Sequence, residues 1–374
     1  MFQRKGSWLL FILMSMVVIG SIVTTQSSMG APGNQEFPLK EAKHYYQRLD
    51  DNDVWCQLCF RKCIIHEGER GFCRVRENRE GKLYTLVYGR PCAIHIDPIE
   101  KEPQYHMLPG TTILCLATPS CNFRCRFCQN WSISQKRPEE VVCDHVSPEE
   151  IVQKAIKLEI PTISFTYTEP TVFYEYMYDI AKLAKKKGIR ILWHSNGAMN
   201  PDPLRELLKY TDAVTIDLKG FSPEFYRKVS FSELDPVLRT LKIIKEEGVW
   251  LEIVNLVVPT FNDNMEDIKR MCIWVKENLG EDVPLHFSRF FPAYRLTKLP
   301  PTPIDTLEKA REIARQVGLH YVTIGNVPGH SANSTFCPNC GKIIIRRLHF
   351  MVLENNIERG RCRFCGHKIP GIWE

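Results

Sequence analysis

Seven short apolar runs, at residues 113–117, 162–167, 189–194, 213–218, 250–258, 285–290 and 320–323, alternate with amphipathic segments. Those segments lie at 148–158, 171–187, 203–209, 232–247, 265–279 and 304–317. Runs that short and that uniformly apolar suit strands buried on both faces, and the segments between them carry helical periodicity. Strand–helix alternation at this spacing predicts a parallel sheet. Seven units suffice for a full or partial (β/α) barrel. The expected fold class is therefore α/β, a partial TIM-like barrel with small cysteine-rich modules at both ends. The expected divisions are a signal-like or anchor segment at 1–30 and a leader helix or linker at 31–53. A cysteine-rich module at 54–110, the barrel at 111–330 and a zinc-ribbon-like module at 331–374 follow.

Composition narrows the function. Apolar residues are 44% and charged residues 25% of the 374, which excludes a disordered, collagen-like or multi-span membrane chain. A net charge of +6 is a mild excess, so no nucleic-acid partner is expected. The 15 cysteines are unusual. Most sit in short-spaced sets, a metal or redox pattern more often than a disulfide framework.

The sharpest set is Cys121-Asn-Phe-Arg-Cys125-Arg-Phe-Cys128, directly after the first expected barrel strand. A cubane iron–sulfur cluster normally takes four cysteines. A loop that offers three leaves one iron open to a chelating ligand, and chemistry would happen there. The same three thiols also suit zinc with a distant fourth ligand, such as Cys115 or Cys143. A plain electron-transfer cluster completed by a remote cysteine is the other alternative.

A Cys-x3-Cys-x2-Cys loop after strand one of a parallel barrel resembles the signature of the radical S-adenosylmethionine (SAM) superfamily. The surrounding motifs are similar to those of the AmmeMemoRadiSam-system radical SAM enzymes, relatives of the pyruvate formate-lyase activating enzyme. They are Asp97-Pro-Ile-Glu-Lys-Glu-Pro-Gln-Tyr-His106, Pro109-Gly110, Cys128-Gln-Asn-Trp131 with Ser132-Ile-Ser-Gln135, and Phe165-Thr-Tyr-Thr-Glu-Pro170. The likeness continues through Ser195-Asn-Gly197, Asp217-Leu-Lys-Gly220, Val257-Val-Pro-Thr260, His286-Phe-Ser-Arg-Phe290 and Gly325-Asn-Val-Pro-Gly329. It spans about residues 54–374 and omits the hydrophobic leader.

The resemblance implies a radical SAM type of barrel and a mechanism. Cys121, Cys125 and Cys128 would hold a [4Fe–4S] cluster, with the SAM amino and carboxylate groups on the fourth iron. Reductive cleavage would give methionine and a 5′-deoxyadenosyl radical that abstracts hydrogen from a substrate. It also implies a low-potential electron donor, such as ferredoxin or flavodoxin, and AmmeMemoRadiSam pathway partners. An activating enzyme for a glycyl-radical protein is the alternative. A non-catalytic electron-transfer or zinc-scaffold protein is the second.

Ligands bind at the C-terminal strand ends of such barrels. Thr168-Glu169-Pro170 stands where the superfamily has Gly-Gly-Glu, with Tyr167 and Thr168 in the glycine places. Glu169 keeps the acidic acceptor for the SAM amino group, or it caps the following helix. Ser195 and Asn196 end one strand. Asp217 and Lys219 end the next, and similar residues contact SAM in the activating enzymes. Ordinary turn chemistry is the other reading of these pairs. Asn255 and Arg289 are expected on the same rim as cofactor-binding residues. His194, His286 and His330 are read as hydrogen-bonded fillers without a catalytic role.

Cys337-Pro-Asn-Cys340-Gly341 and Cys362-Arg-Phe-Cys365-Gly366 are two metal knuckles, which predict a structural tetrahedral S4 site for zinc or iron. A pair of disulfides is the reading that export would favour. Cys56, Cys59, Cys63 and Cys73 suit either zinc or an auxiliary iron–sulfur cluster, and the two terminal sets are also able to share a site. Cys92, Cys115, Cys143 and Cys272 read as buried thiols.

Arg4 and Lys5 precede an apolar run at residues 8–23. That run is shorter than the ~20 residues of a comfortable membrane span. It reads as a secretory signal, a short membrane anchor or untranslated sequence before a start at Met29. SAM and low-potential electrons are cytoplasmic supplies. The catalytic part is therefore expected in the cytoplasm, with membrane attachment through residues 8–23 or export as the other outcomes.

Overall fold

The computed structural model describes residues 39–374, and the apolar leader at 8–23 lies outside them. Among the described residues no helix is long and apolar enough to cross a membrane. An eight-stranded sheet organises the chain. Its strands are β1 (Ala93–Pro98), β2 (Thr112–Ala117), β3 (Thr162–Phe165), β4 (Arg190–Ser195), β5 (Ala213–Asp217), β6 (Trp250–Val257), β7 (Leu285–Arg289) and β8 (Val322–Gly325). Each strand pairs with its neighbour in sequence, and β2 to β8 run parallel. The end strands β1 and β8 do not pair with each other, so the barrel is partial, as the alternation predicts.

The strands read as continuous apolar runs because both faces are covered. All four residues of β3 are buried, and Trp193, Ile216, Ile253 and Phe287, at 0% exposure, belong to the core on the sheet's helix-facing side. Six helices pack outside: α1 (Pro148–Lys157), α2 (Tyr174–Lys186), α3 (Pro201–Leu208), α4 (Asp235–Glu246), α5 (Met265–Leu279) and α6 (Ile304–Val317). Local chemistry sets their ends. Ser147 Oγ accepts the Glu150 amide at 3.2 Å, and the Glu150 carboxylate accepts the Ser147 amide at 2.7 Å, a reciprocal cap that starts α1. Asn264 Oδ1 accepts two amides at the start of α5.

Four elements depart from expectation. β1 was not anticipated; it pairs antiparallel with β2, from Ala93 opposite Ala117 to Pro98 opposite Thr112. The helix expected over 171–187 begins as a 3-10 turn, Pro170–Phe173. The one expected from 232 starts at Asp235, after a π-helical turn at Tyr226–Ser230. No helix forms over residues 40–48, which instead make two short strands. Lys40–Glu41 pairs with Lys82–Thr85, and Tyr46–Arg48 pairs with Val54–Cys56. Edge pairing satisfies their backbone groups there without a helix.

Residues 370–372 dock on the segment 106–108 ahead of β2. The His106 ring lies 2.8 Å from the Pro370 carbonyl, and the amide–carbonyl pairs Leu108–Ile372 and Ile372–His106 span 2.8 and 2.7 Å. The strands Ile343–Leu348 and Met351–Asn355 form a hairpin between the two knuckles.

Candidate active site

The C-terminal ends of the parallel strands open into a cavity of about 460 Å³. Its lining combines the cysteine loop after β2 with residues from the ends of β4, β5, β6, β7 and β8. Cys121, Cys125 and Cys128 all line it, and they are the only cysteines among the described residues that do.

The loop is held by backbone bonds rather than by regular structure. Ser120 donates its amide to the Ile133 carbonyl at 2.9 Å, Arg124 to Ser230 at 3.0 Å, and Arg126 to Val229 at 2.9 Å. The Arg124 guanidinium folds back on the Cys121 carbonyl at 2.6 Å. Cys121 Sγ accepts the Phe123 amide at 3.3 Å, and Cys128 Sγ lies 3.2 Å from Ser134 Oγ. Burial raises all three thiols: Cys125 reaches about 11 despite the nearby Lys219 ammonium, and Cys121 is lifted well above the ordinary thiol value. Without a cation to displace the protons, these sulfurs stay thiols at neutral pH. The donor set fits a cubane with one open iron: three soft ligands from a single loop and no fourth cysteine in the cavity.

Glu169 is 1% exposed and fully engaged. Its carboxylate accepts the Thr171 amide and hydroxyl, Ser195 Oγ at 2.8 Å and the Asn196 amide at 2.9 Å. The capping role foreseen for it is therefore present, and the same oxygens tie the ends of β3 and β4 together. Tyr167, in a glycine place of the superfamily motif, adopts φ +63°, the left-handed conformation glycine favours. The backbone path thus survives the loss of the glycine. The Tyr167 hydroxyl bonds Asp97, and its carbonyl accepts Asn130 Nδ2 at 2.7 Å.

Asp217 and Lys219 form an ion pair of 2.6 Å in the cavity wall. His194 Nε2 meets the other Asp217 oxygen at 3.0 Å, and its Nδ1 lies 3.5 Å from Glu102. Burial opposes the charges, but their mutual attraction wins. It depresses the Asp217 carboxyl below the usual range and raises Lys219. Burial pushes His194 down, yet Asp217 and Glu102 outweigh it and lift the imidazole to about 10. His194 is thus a charged member of the cavity wall, a place that the filler reading of the sequence did not give it. Glu102 was also missed. The signal available was its position in the Asp97–His106 motif.

Asn255 and Arg289 do not reach the cavity, which corrects their expected place on the rim. On β6 the lining residues are Val254 and Leu256, and on β7 they are His286 and Ser288. Successive strand residues point to opposite faces. Asn255 Nδ2 accordingly bonds the Leu218 carbonyl at 2.7 Å, and Arg289 Nε bonds the Thr302 carbonyl at 2.8 Å. His286 lines the cavity but is held by Glu252 at 2.8 Å and Thr323 at 2.7 Å, while His330 caps the turn at Ser331.

At the C-terminal end, Cys337, Cys340, Cys362 and Cys365 bring their sulfurs within 4.8 Å of one another. The Cys337–Cys365 and Cys340–Cys362 sulfur distances are 3.6 and 3.8 Å. A tetrahedron with metal–sulfur bonds of about 2.3 Å has edges of about 3.8 Å. Gly341 and Gly366, at φ +71° and +74°, make the bends that close each knuckle. This set is complete in itself, so it does not share a site with the N-terminal cysteines.

Fold and site define an α/β-barrel protein with a cysteine-lined cavity at its C-terminal strand ends. Its residues 116–272 match the radical SAM superfamily. An uncharacterized protein of Methanocaldococcus jannaschii is 50% identical over 333 residues, covering 88% of this chain and 99% of that one. The pyruvate formate-lyase-activating enzyme of Clostridium pasteurianum is 25% identical over 165 residues, 42% of this chain and 66% of that enzyme. The crystal structure of Streptococcus suis SuiB bound to S-adenosylmethionine is similar at a TM-score of 0.45 and 15% identity, covering 61% of this chain and 53% of that one. The chain belongs to the radical SAM superfamily.

Proposed function

We propose that this protein is a radical SAM enzyme that abstracts a hydrogen atom from its substrate. Cys121, Cys125 and Cys128 would hold a [4Fe–4S] cluster. When bound, that group would supply the electron for reductive cleavage of SAM to methionine and a 5′-deoxyadenosyl radical. The carrying observation is that the three thiols line one cavity with the Asp217–Lys219 pair and Glu169.

The chain's own residues bind and orient. Lys219 offers an ammonium for the SAM carboxylate. Asp217, kept ionised, accepts a hydrogen bond from the amine or the ribose. Glu169 acts mostly by fixing Ser195 and Asn196, since its oxygens already accept four hydrogen bonds from its neighbours. Phe123, Phe127 and Phe350 exclude water from the cavity. Cys337, Cys340, Cys362 and Cys365 would hold a structural zinc.

The AmmeMemoRadiSam-like motifs favour a pathway with partner proteins and a small-molecule product over activation of a glycyl-radical protein. A low-potential donor such as ferredoxin or flavodoxin would supply the electron in the cytoplasm. The modular division at 54–110, 111–330 and 331–374 belongs to the same proposal.

The test is anaerobic. The full chain, loaded with iron and sulfide, is given reductant and SAM, and 5′-deoxyadenosine is measured by mass spectrometry. Product that disappears in Cys125→Ala supports the reading. No product from iron-loaded protein whose cluster spectrum ignores SAM would sink it and point to an electron-transfer or scaffold role.

A further inference from the structure

We infer that Cys56, Cys59, Cys63 and Cys73 hold a second iron–sulfur cluster, placed against the catalytic loop so that Asn122 links the two sites. The electron-relay half of this inference rests on the radical SAM reading; the metal site itself does not.

The four cysteines line one buried cavity with Arg61, Arg76 and Asn122. Three observations separate it from the C-terminal zinc-type site. The C-terminal sulfurs converge within 4.8 Å, and among the described residues they are the set that does so. No three of the N-terminal sulfurs lie that close together, and a cubane spaces its ligands more widely than a single ion does. Next, neither Cys59 nor Cys63 is followed by glycine, and of the left-handed turns that follow a cysteine at Gly341 and Gly366 only one has a counterpart here, at Arg74 after Cys73, φ +66°.

The third observation concerns donors. Arg76 is 2% exposed and Asn122 is 0% exposed, yet Arg76 Nε has no hydrogen-bond partner and Asn122 Nδ2 has none beyond the Cys59 sulfur. Buried N–H groups without acceptors are costly. Both residues line this cavity, where inorganic sulfide and thiolate would accept from them. Such N–H···S bonds set the potential of iron–sulfur clusters. A lone zinc ion would add no acceptor atoms beyond the four thiolates.

Position supplies the function. Asn122 lies between Cys121 and Cys125 in sequence, and its Oδ1 is 3.9 Å from Cys121 Sγ and 2.7 Å from Asn196 Nδ2. The turn around Cys59 is stitched to the loop after β4. Phe60 bonds Ala198 at 3.1 Å, Asn200 bonds Leu58 at 3.0 Å, and Asn200 Nδ2 reaches the Gln57 and Cys59 carbonyls. Ser120 Oγ holds the Cys73 carbonyl, and Arg124 holds the Phe72 carbonyl at 2.5 Å. The same segments therefore build both cysteine sites. One electron from a low-potential carrier protein would reduce the N-terminal site. That electron would then pass to the catalytic site, leaving the first oxidised again.

The deciding protein is the full chain with Cys121→Ala, Cys125→Ala and Cys128→Ala together, loaded anaerobically with iron and sulfide. The expected result is about four irons and about four sulfides per chain, with the paramagnetic signal of a reduced cubane after dithionite. A second zinc in place of that iron, or an empty site, overturns the inference. This readout needs no SAM chemistry, so its failure is distinct from failure of the enzyme reading. Should the triple variant not fold, Cys59→Ala and Cys63→Ala together in the otherwise native chain decide, since three cysteines alone still hold a cubane. Iron should fall from about eight to about four per chain, and flavodoxin-driven 5′-deoxyadenosine formation should fall at least tenfold. Unchanged iron refutes the site, and an unchanged flavodoxin-driven rate refutes the relay.

Discussion

Lys219 Nζ lies 2.6 Å from Asp217 Oδ2, across the turn that ends β5. The pair sits in the cavity wall beside Cys125, and the ammonium lowers the cost of a thiolate there. Lys219→Met should leave Asp217 paired only with His194 and remove the cation offered to a carboxylate. SAM affinity of the iron-loaded protein is expected to fall about 10- to 100-fold, about 1.4–2.8 kcal/mol. Equilibrium dialysis with labelled SAM measures it, and unchanged affinity for both Lys219→Met and Asp217→Asn would count against the proposed binding mode.

His194 gives a stability signature on the alkaline side. Its pKa is raised from about 6.5 unfolded to about 10 folded. The charged ring therefore stabilises the fold fully below about pH 6.5, and the contribution disappears as pH climbs through about 10. The side chain is only 20% exposed, so solvent screens it little. The unfolding free energy of the native protein should drop between pH 7 and pH 10 by roughly 2–4 kcal/mol more than that of His194→Gln, read from denaturant titrations. Parallel curves for the two proteins would mean that the ring is neutral in the fold.

Arg347 carries the C-terminal hairpin's grip on the barrel. The guanidinium is fully buried, 3.6 Å from Glu100, and bonds Thr335 Oγ1 at 2.7 Å and the Tyr105 carbonyl at 2.8 Å. Burial raises the Glu100 pKa even with this partner in place. Arg347→Met should therefore strand a buried carboxylate and cost about 3–5 kcal/mol at pH 7. Protonation relieves the stranded charge, so the loss should shrink toward pH 5. A cost independent of pH would point to lost packing instead.

Much of this architecture is legible in the residue order. The seven apolar runs became β2 to β8, because strands covered on both faces leave no polar alternation to mislead. The edge strand β1 was hidden because His95 and Asp97 break its apolar character, and nothing local announces antiparallel pairing to β2. The C-terminal four-sulfur site was legible because each knuckle encodes its own turn. Asn255 and Arg289 were misplaced by a single residue of register. A strand end tells which residues are near a cavity, but the parity that sends Val254, Leu256, His286 and Ser288 inward depends on the whole sheet. Glu102 and His194 owe their roles to a contact between β4 and the segment after β1, which no local pattern contains.

The C-terminal metal site should act on the cavity at a distance. His349 and Phe350, at the tip of the hairpin between the two knuckles, form part of the cavity wall. Cys337 and Cys362 are buried against Tyr321 and Ile369, so the sulfurs anchor one end of that hairpin while Arg347 anchors the other. Cys340→Ser should release one equivalent of zinc. Loss of a structural tetrahedral site removes folding free energy outright. The barrel keeps its own core, so the expected cost is about 2–4 kcal/mol rather than unfolding. Metal analysis with denaturant titration tests this. Release of zinc without any shift in the unfolding midpoint would show that Arg347 and the docked strand at Ile372 hold the hairpin unaided.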